Sequence, residues 1–343
     1  MRITDDYDLS ARNTFGMRVR CRRFVECDTT DDVAAACAML RDREEPWLVI
    51  GAGSNILFTG DYGGTVVHVA VKGIAAEETD GDVLVSAGGG EVFDDVVARC
   101  VAEGRHGLEN LSGIPGEAGA SAVQNIGAYG VEAGDMICAV EAVETSTGRA
   151  VTLSGADCGY GYRHSRLKDE WKGKYVVTRV TYRLTKTFTP HTDYGNIRER
   201  LSCAGYVTDD DMSALDAQTM RRVITAVRRE KLPDPKTAGN AGSFFTNPIV
   251  SAETAERMTR EHPDMPCYPA AGGRRKLSAA WMIDRCGWRG RTVGRAGVHD
   301  RQALVIVNRG GAVPGDILAV CRAVQDDVRR TFGITLTPEV NII

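Results

Sequence analysis

The sequence predicts an α+β fold, and three patterns carry that reading. Short β-branched runs bounded by glycine recur through the first half. One apolar stripe at helical spacing interrupts them, and the second half alternates amphipathic helices with a buried strand. In chain order, residues 46–50 form an apolar run that stops at Gly51, and residues 66–71 and 83–87 are β-branched; all three predict strands. Val92, Phe93, Val96, Val97, Cys100 and Val101 recur at helical spacing, and Gly104 closes that helix. Residues 141–152 predict a hairpin turning at Ser146-Thr147-Gly148, and residues 175–184 a further strand. A polar, turn-rich stretch at 192–211 marks a domain boundary near 190–215. Beyond it, Met220, Val223, Ile224 and Val227 line one face of a helix that ends before Pro233. A second helix follows Ser251, a third covers 278–286 and stops at Gly287, and 303–307 is a buried strand. Ile317, Leu318, Cys321, Val324 and Val328 give a long amphipathic helix ended by Gly333.

At 343 residues the chain has room for two or three domains of about 100–200 residues each. Its 43% hydrophobic and 26% charged residues match ordinary globular proteins. A net charge of −4 offers no basic footprint for nucleic acid, so none is expected as a partner. The polar, acidic N-terminus has no apolar core of a leader peptide, and no apolar run reaches roughly 18 residues. No membrane insertion and a cytoplasmic location are expected. The ten cysteines include no C-x-x-C pair, which argues against a disulfide framework or a zinc site. The six histidines show no ligand spacing, so no metal is assigned. Trp281 and Trp288 read as core residues.

Three glycine-rich segments carry the candidate chemistry. Gly51-Ala52-Gly53-Ser54-Asn55 follows a predicted strand directly. Consecutive backbone N–H groups of such a run can form an anion site suited to a diphosphate, or the run is a tight turn. It is neither a Rossmann fingerprint, because Ile56 stands where the third glycine would fall, nor a Walker loop. Ser112-Gly113-Ile114-Pro115-Gly116, Gly119 and Gln124-Asn125-Ile126-Gly127-Ala128-Tyr129-Gly130 read as a second glycine loop, whose amides can meet a heterocycle edge. Residues 231–247 hold two prolines, then Gly239, Asn240, Gly242 and Ser243 before Phe244 and Phe245. Ser243 is either a reactive hydroxyl on a stiff turn or a turn serine satisfying a backbone donor.

Taken with Asn13-Thr14-Phe15, Gly161-Tyr162-Arg163, Lys231 to Pro235 and Pro338-Glu339-Val340, these segments resemble the UDP-N-acetylenolpyruvoylglucosamine reductase (MurB) family in order along nearly the whole chain. Tyr194-Gly195 resembles the tyrosine loop of the family's longer type. The resemblance implies a two-part flavin cradle of the vanillyl-alcohol-oxidase-like type plus an α+β substrate lobe. It places the first flavin subdomain at 1–75, joined by a C-terminal strand within 334–343, the second at 76–214 and the substrate domain at 215–333. It also implies that NADPH reduces non-covalently bound FAD, which passes hydride to the enolpyruvyl group of a UDP-sugar in peptidoglycan precursor synthesis. By resemblance, Ser243 is the proton donor, Arg163 clamps the substrate carboxylate, and Glu339, protonated through burial, assists. FAD would be held by Gly51, Ala52, Gly53, Ser54, Asn55, Ile114, Pro115, Ser121, Gln124, Gly127, Ala128 and Arg228. The UDP-sugar would meet Tyr129, Tyr194, Lys231, Asn247, Tyr268, Lys276, Arg289 and Gln302. A monomer is expected. Two other readings are a flavin oxidase acting on an alcohol and a non-catalytic nucleotide-sugar binder. The first lacks a histidine beside the first glycine loop for covalent flavin attachment, and the second has no use for a proton donor.

Three departures from the family pattern stand out: Ala122 for a common proline, Asn341 for a frequent arginine, and Glu117 where many relatives are apolar or cysteine. A carboxylate at 117, close to a diphosphate, would be unfavourable unless it turns outward.

Overall fold

A computed structural model describes residues 1–41, 43–208 and 211–343. The expected boundary stretch therefore includes two residues, 209 and 210, outside the described ones. In chain order the strands are β1 (Arg2–Asp8), β2 (Arg20–Cys27), β3 (Trp47–Ile50), β4 (Ile56–Leu57), β5 (Tyr62–Val69), β6 (Ile74–Glu78), β7 (Asp82–Gly88), β8 (Gly127–Ala128), β9 (Val131–Glu132), β10 (Ile137–Glu144), β11 (Ala150–Ser154), β12 (Tyr175–Thr185), β13 (Ile249–Val250), β14 (Cys267–Pro269), β15 (Arg275–Leu277), β16 (Thr292–Val293), β17 (Ala296–Val298), β18 (Ile306–Asn308) and β19 (Asn341–Ile342). The helices are α1 (Thr30–Arg41), α2 (Phe93–Ala102), α3 (Ala118–Gln124), α4 (Ile197–Cys203), α5 (Ala217–Lys231), α6 (Ala252–Glu261), α7 (Ala279–Arg285) and α8 (Pro314–Phe332).

The chain divides into two compact units. The first gathers Met1–Tyr7, Cys21–Ala52 and Gly63–Arg228. Its larger sheet runs β11-β10-β12-β7-β6, with every neighbouring pair antiparallel. β7 alternates, so Val83, Val85 and Ala87 point one way into a core with Val180, Tyr182 and Leu184 of β12. Phe93, Val96, Val97, Cys100 and Val101 of α2 fill the same core, and Gly104 ends the helix region at φ +70°. Burying each of the larger side chains contributes about 1.5–3 kcal/mol. The second sheet, β1-β2-β5-β3, pairs β3 with β5 in parallel. Helix α1 lies against both sheets of this unit, with Val33, Ala36, Cys37 and Leu40 among Val25, Val67, Val143 and Val176. A third cluster joins α4 to α5 through Ile197, Leu201, Met220, Ile224 and Val227.

The second unit gathers Asp8–Arg20, Gly53–Tyr62 and Arg229–Ile343. Helix α8 begins with Pro314 in its first turn and ends at Gly333, φ +69°; its buried stripe includes Ile317, Val320, Cys321, Val324 and Val328. It packs against the antiparallel sheet β16-β17-β18. Ser251 and Ser278 cap α6 and α7 by accepting from the Thr254 and Trp281 N–H groups. Trp288 is buried, as expected of a core residue, whereas Trp281 is partly exposed and tilts against Phe332.

Several expectations are corrected. Residues 118–124 are helix, not loop: Ala118, Ser121 and Ala122 are buried, and Gly119 approaches the Gly89 backbone so closely that an added Cβ would lie 3.1 Å from its carbonyl oxygen. Of the expected 334–343 stretch only Asn341–Ile342 is strand; Pro338 has no N–H for a ladder and makes an isolated bridge to Phe245. Strand β18 likewise begins after Val305, which forms an isolated bridge to Ser243. Strand β1 has no apolar alternation to announce it; six of its seven residues are exposed.

Candidate active site

Two constellations, one in each unit, contain most of the expected site residues. In the first unit they gather around α3. Asn125 closes this helix in the left-handed region, φ 44°, a conformation its short amide tolerates. Its Nδ2 donates to Glu132 Oε2 at 2.8 Å and to the Gly161 carbonyl at 2.7 Å, while its Oδ1 accepts from Gly134 N at 2.7 Å. The 124–130 segment is thereby tied to the segment bearing Arg163. Arg163 Nη2 donates to the Gly127 carbonyl at 2.8 Å. A Cβ on Gly127 would lie 3.0 Å from Arg163 Nη1, so glycine is what admits the guanidinium there. Arg163 and Tyr129 both sit at positive φ, 54° and 50°, an uncommon conformation for bulky residues that concentrates at functional sites.

Tyr129, Arg228 and Gly113 form a second tie. Arg228 Nε donates to the Gly113 carbonyl at 3.1 Å. Burial raises the Tyr129 phenol pKa, with Arg228 opposing; burial likewise lowers the Arg228 guanidinium, with Tyr129 and Asp94 opposing. Tyr194 packs on Gly130, where an added Cβ would lie 3.3 Å from the tyrosine Cβ. The buried Asn110 was not singled out in the sequence, yet its Nδ2 donates to the carbonyls of Tyr129 and His191, both at 2.9 Å. Asp94 was equally silent. It accepts from Gly113 N at 2.6 Å and from Arg221 at 2.6 and 3.0 Å, which fixes the turn before Ile114 and Pro115.

The Gln124 side-chain oxygen is buried and has no hydrogen-bond partner among the described residues. An orphaned buried acceptor is costly unless a ligand donor meets it. That unsatisfied acceptor, with glycines at 113, 116 and 127, fits a flat heterocyclic cofactor. Ser121 is different: its hydroxyl donates to the Ala118 carbonyl at 2.6 Å and lies 2.7 Å from the Tyr182 hydroxyl, wholly inside the core. Ala128 pairs with Val131 in the β8–β9 ribbon. Glu117 does not turn outward. Its side chain is 11% exposed, lies beside Gly51 and bonds His68.

In the second unit a hydrogen-bond ladder assembles three expected site segments. Phe244 N donates to the Leu304 carbonyl at 2.7 Å, and Glu339 N donates to the Phe244 carbonyl at 2.8 Å. Asn55 Nδ2 reaches the Glu339 carbonyl at 3.3 Å. Asn341 closes the ladder, donating to the Asn55 carbonyl from its backbone N at 3.1 Å and its Nδ2 at 3.0 Å. Ser243 and Glu339 thus flank a shared backbone framework, both partly exposed above the buried Phe244 and Phe245. Gly53, at φ +66°, abuts Arg12, whose carbonyl oxygen would be 1.9 Å from any Cβ; no side chain fits. Gln302 Oε1 accepts from Leu304 N at 3.4 Å, beside the Ser243 bridge. Asn247 Oδ1 accepts from Ala279 N at 2.9 Å, at the start of α7. Lys276 of β15 pairs with Tyr268 of β14, its ammonium 5.9 Å from the ring. Lys231 ends α5, and Ser54 and Ala52 complete the first glycine loop. Arg289 forks onto Asp284 at 2.7 and 2.5 Å on an exposed turn.

Comparison with known proteins bears on the family and the fold. Residues 21–154 match the family described as FAD binding domain, and residues 234–343 match UDP-N-acetylenolpyruvoylglucosamine reductase, C-terminal domain. The chain is 48% identical over 338 residues to the UDP-N-acetylenolpyruvoylglucosamine reductase of Bacteroides fragilis, covering 98% of this chain and 99% of that one. It is 47% identical over 340 residues to the Chromobacterium violaceum protein of the same name, with 98% of each covered. Among solved structures it is similar to the UDP-N-acetylenolpyruvylglucosamine reductase (MurB) from Thermus caldophilus, with a TM-score of 0.68 over 100% of this chain and 99% of that one at 23% identity. At that identity the likeness speaks to the fold.

Proposed function

The chain belongs to the UDP-N-acetylenolpyruvoylglucosamine reductase family, and from that premise we propose how its residues divide the work. It is an FAD-containing oxidoreductase that reduces the enolpyruvyl group of UDP-N-acetylglucosamine enolpyruvate in peptidoglycan precursor synthesis. NADPH is the proposed hydride source and UDP-N-acetylmuramate the product. Bound FAD supplies the hydride chemistry, and the protein supplies binding, orientation and the proton. Gly51 to Asn55 hold the diphosphate, and Ile114, Pro115, Gln124, Gly127, Ala128 and Arg228 hold the rest, with Ser121 shaping the helix behind them. Residues 1–75 with 334–343, and 76–214, serve the flavin, and 215–333 serve the substrate. The protein acts as a monomer in the cytoplasm on this reading; among the described residues no helix is long and apolar enough to cross a membrane.

When the enolpyruvyl double bond is reduced, negative charge builds at the carboxyl end. The Arg163 guanidinium offers a two-pronged fork to that carboxylate. The Ser243 hydroxyl, which has no hydrogen-bond partner among the described residues, delivers the proton, with Glu339 beside it on the same framework. Tyr194 and Lys231 take the diphosphate of the nucleotide, and Tyr129, Asn247, Tyr268, Lys276, Arg289 and Gln302 the remainder. The observation that supports this reading is the ladder linking the Ser243 turn, Glu339 and Asn55 through the Phe244 carbonyl. The test is anaerobic stopped flow, adding NADPH first and the enolpyruvyl nucleotide second. In Ser243→Ala the first phase stays near wild type and the second slows by about 10²–10⁴-fold. Equal slowing of both phases would remove Ser243 from the proton step.

A further inference from the structure

Gly51, the head of the first glycine loop, lies under a buried carboxylate. A Cβ on Gly51 would come within 2.9 Å of Glu117 Oε2. A bare carboxylate there would repel any diphosphate on the loop. It is not bare. His68 Nε2 lies 3.0 and 3.3 Å from the two Glu117 oxygens, and His68 Nδ1 lies 3.0 Å from Glu26 Oε2. The three side chains are 11%, 7% and 18% exposed for Glu117, His68 and Glu26. Ionised carboxylates accept and never donate, so with both ionised a ring bonded to each donates from both nitrogens, and that form is the imidazolium. Glu26 is in turn paired with Arg2, whose other nitrogen meets Asp28 Oδ2 at 2.9 Å.

We propose that His68 is a positioning residue for the flavin: wedged between Glu26 and Glu117, it neutralises the carboxylate beside Gly51 and so permits a diphosphate on a loop that would otherwise refuse it. This rests on the reading of residues 51–55 as the diphosphate site. The charge count makes the proposal specific. Glu26, His68 and Glu117 sum to −1. His68→Phe makes the group −2, Glu117→Gln makes it zero, and the double variant returns it to −1.

The measurement is flavin release, followed by fluorescence after dilution of each holoenzyme, with Tm recorded beside it. His68→Phe should raise the FAD dissociation constant about tenfold or more, and added salt should shrink the change. Glu117→Gln should bind FAD as tightly as wild type or more so. The double variant should recover to within about threefold of wild type, because the charge is restored although the histidine is gone. Weakened binding in His68→Phe without recovery in the double variant would overturn the proposal, and so would Glu117→Gln weakening FAD as much as His68→Phe. Should His68→Phe fail to fold, Glu117→Gln alone decides: weaker binding contradicts the charge argument. Ser54→Asp separates this from the underlying reading. If that added charge leaves FAD retention unchanged, the loop is not the diphosphate site and both claims fall. If Ser54→Asp weakens retention and His68→Phe does not, the His68 proposal alone fails.

Discussion

Single residues here are governed by what their immediate neighbours do to charge. Burial pushes the Cys27, Cys100 and Cys321 thiols up to about 12, whereas Cys203 is exposed at the end of α4. The thiolate is the reactive form, so exposure and pKa act together. Native protein treated with a maleimide near neutral pH should label Cys203 first, and Cys27, Cys100 and Cys321 only after unfolding; peptide mapping reads the order. Arg163 is held by its geometry as much as its charge, through the Gly127 carbonyl and a left-handed backbone. Lysine keeps the charge but loses the planar fork. Arg163→Lys should therefore lower kcat for the nucleotide half-reaction by about tenfold or more while NADPH oxidation by the flavin persists. Identical rates in the variant would show that one prong suffices.

At the scale of elements, helix ends and turns were written plainly in the sequence. Gly104, Gly287 and Gly333 end their helices because glycine accepts positive φ, and the 146–148 turn joins β10 to β11 where the local residues put it. Local signals of that kind need no partner. Helix α3 was illegible for the opposite reason: Ala118, Gly119, Ala120, Ser121 and Ala122 give no apolar stripe, and the helix exists because small residues let it lie on the Gly89 backbone. The chemistry-bearing motifs were legible as segments, but their supports were not, since Asn110, Asp94, His68 and Asn341 act across long separations in the chain. Asp94 illustrates the energetics. Burial pushes its carboxyl pKa up, but Arg221, the Gly113 N–H and Arg228 together hold it below the ordinary value. A carboxyl depressed in the folded state stabilises above its unfolded pKa, roughly 3.9, and that contribution is lost as pH falls through the lower folded value. Urea midpoints of Asp94→Asn and wild type should differ at pH 7, and the gap should narrow as pH falls below about 3.9. A constant gap across that range would mean that packing, not ionisation, carries the effect.

At the scale of the whole molecule, the chain's order in space departs from its order in sequence. Residues 53–62 belong to the same compact unit as residues 229–343, and β19 pairs in parallel with β4, matching Asn341 to Ile56 and Ile342 to Leu57. Thr59 N and Oγ1 add bonds to the Ile343 carbonyl at 2.8 and 2.7 Å. Removing residues 341–343 should thus release the Asn55 carbonyl as well as a strand. The expected result is a Tm lowered by several degrees and faster loss of flavin on dilution; a yellow, undiminished protein after truncation would show that the loop keeps its shape unaided.

β4 must also wait for its neighbour while the chain is being made. Asn55 and Glu339 are separated by 284 positions. At ribosomal speeds of about 5–20 residues per second, that gap is on the order of a quarter of a minute to a minute. The loop that precedes β4 leaves the exit tunnel early and lacks its clasp for that whole interval. If residues 51–55 hold the flavin as proposed, the pigment is therefore expected to be retained only after translation has passed residue 341.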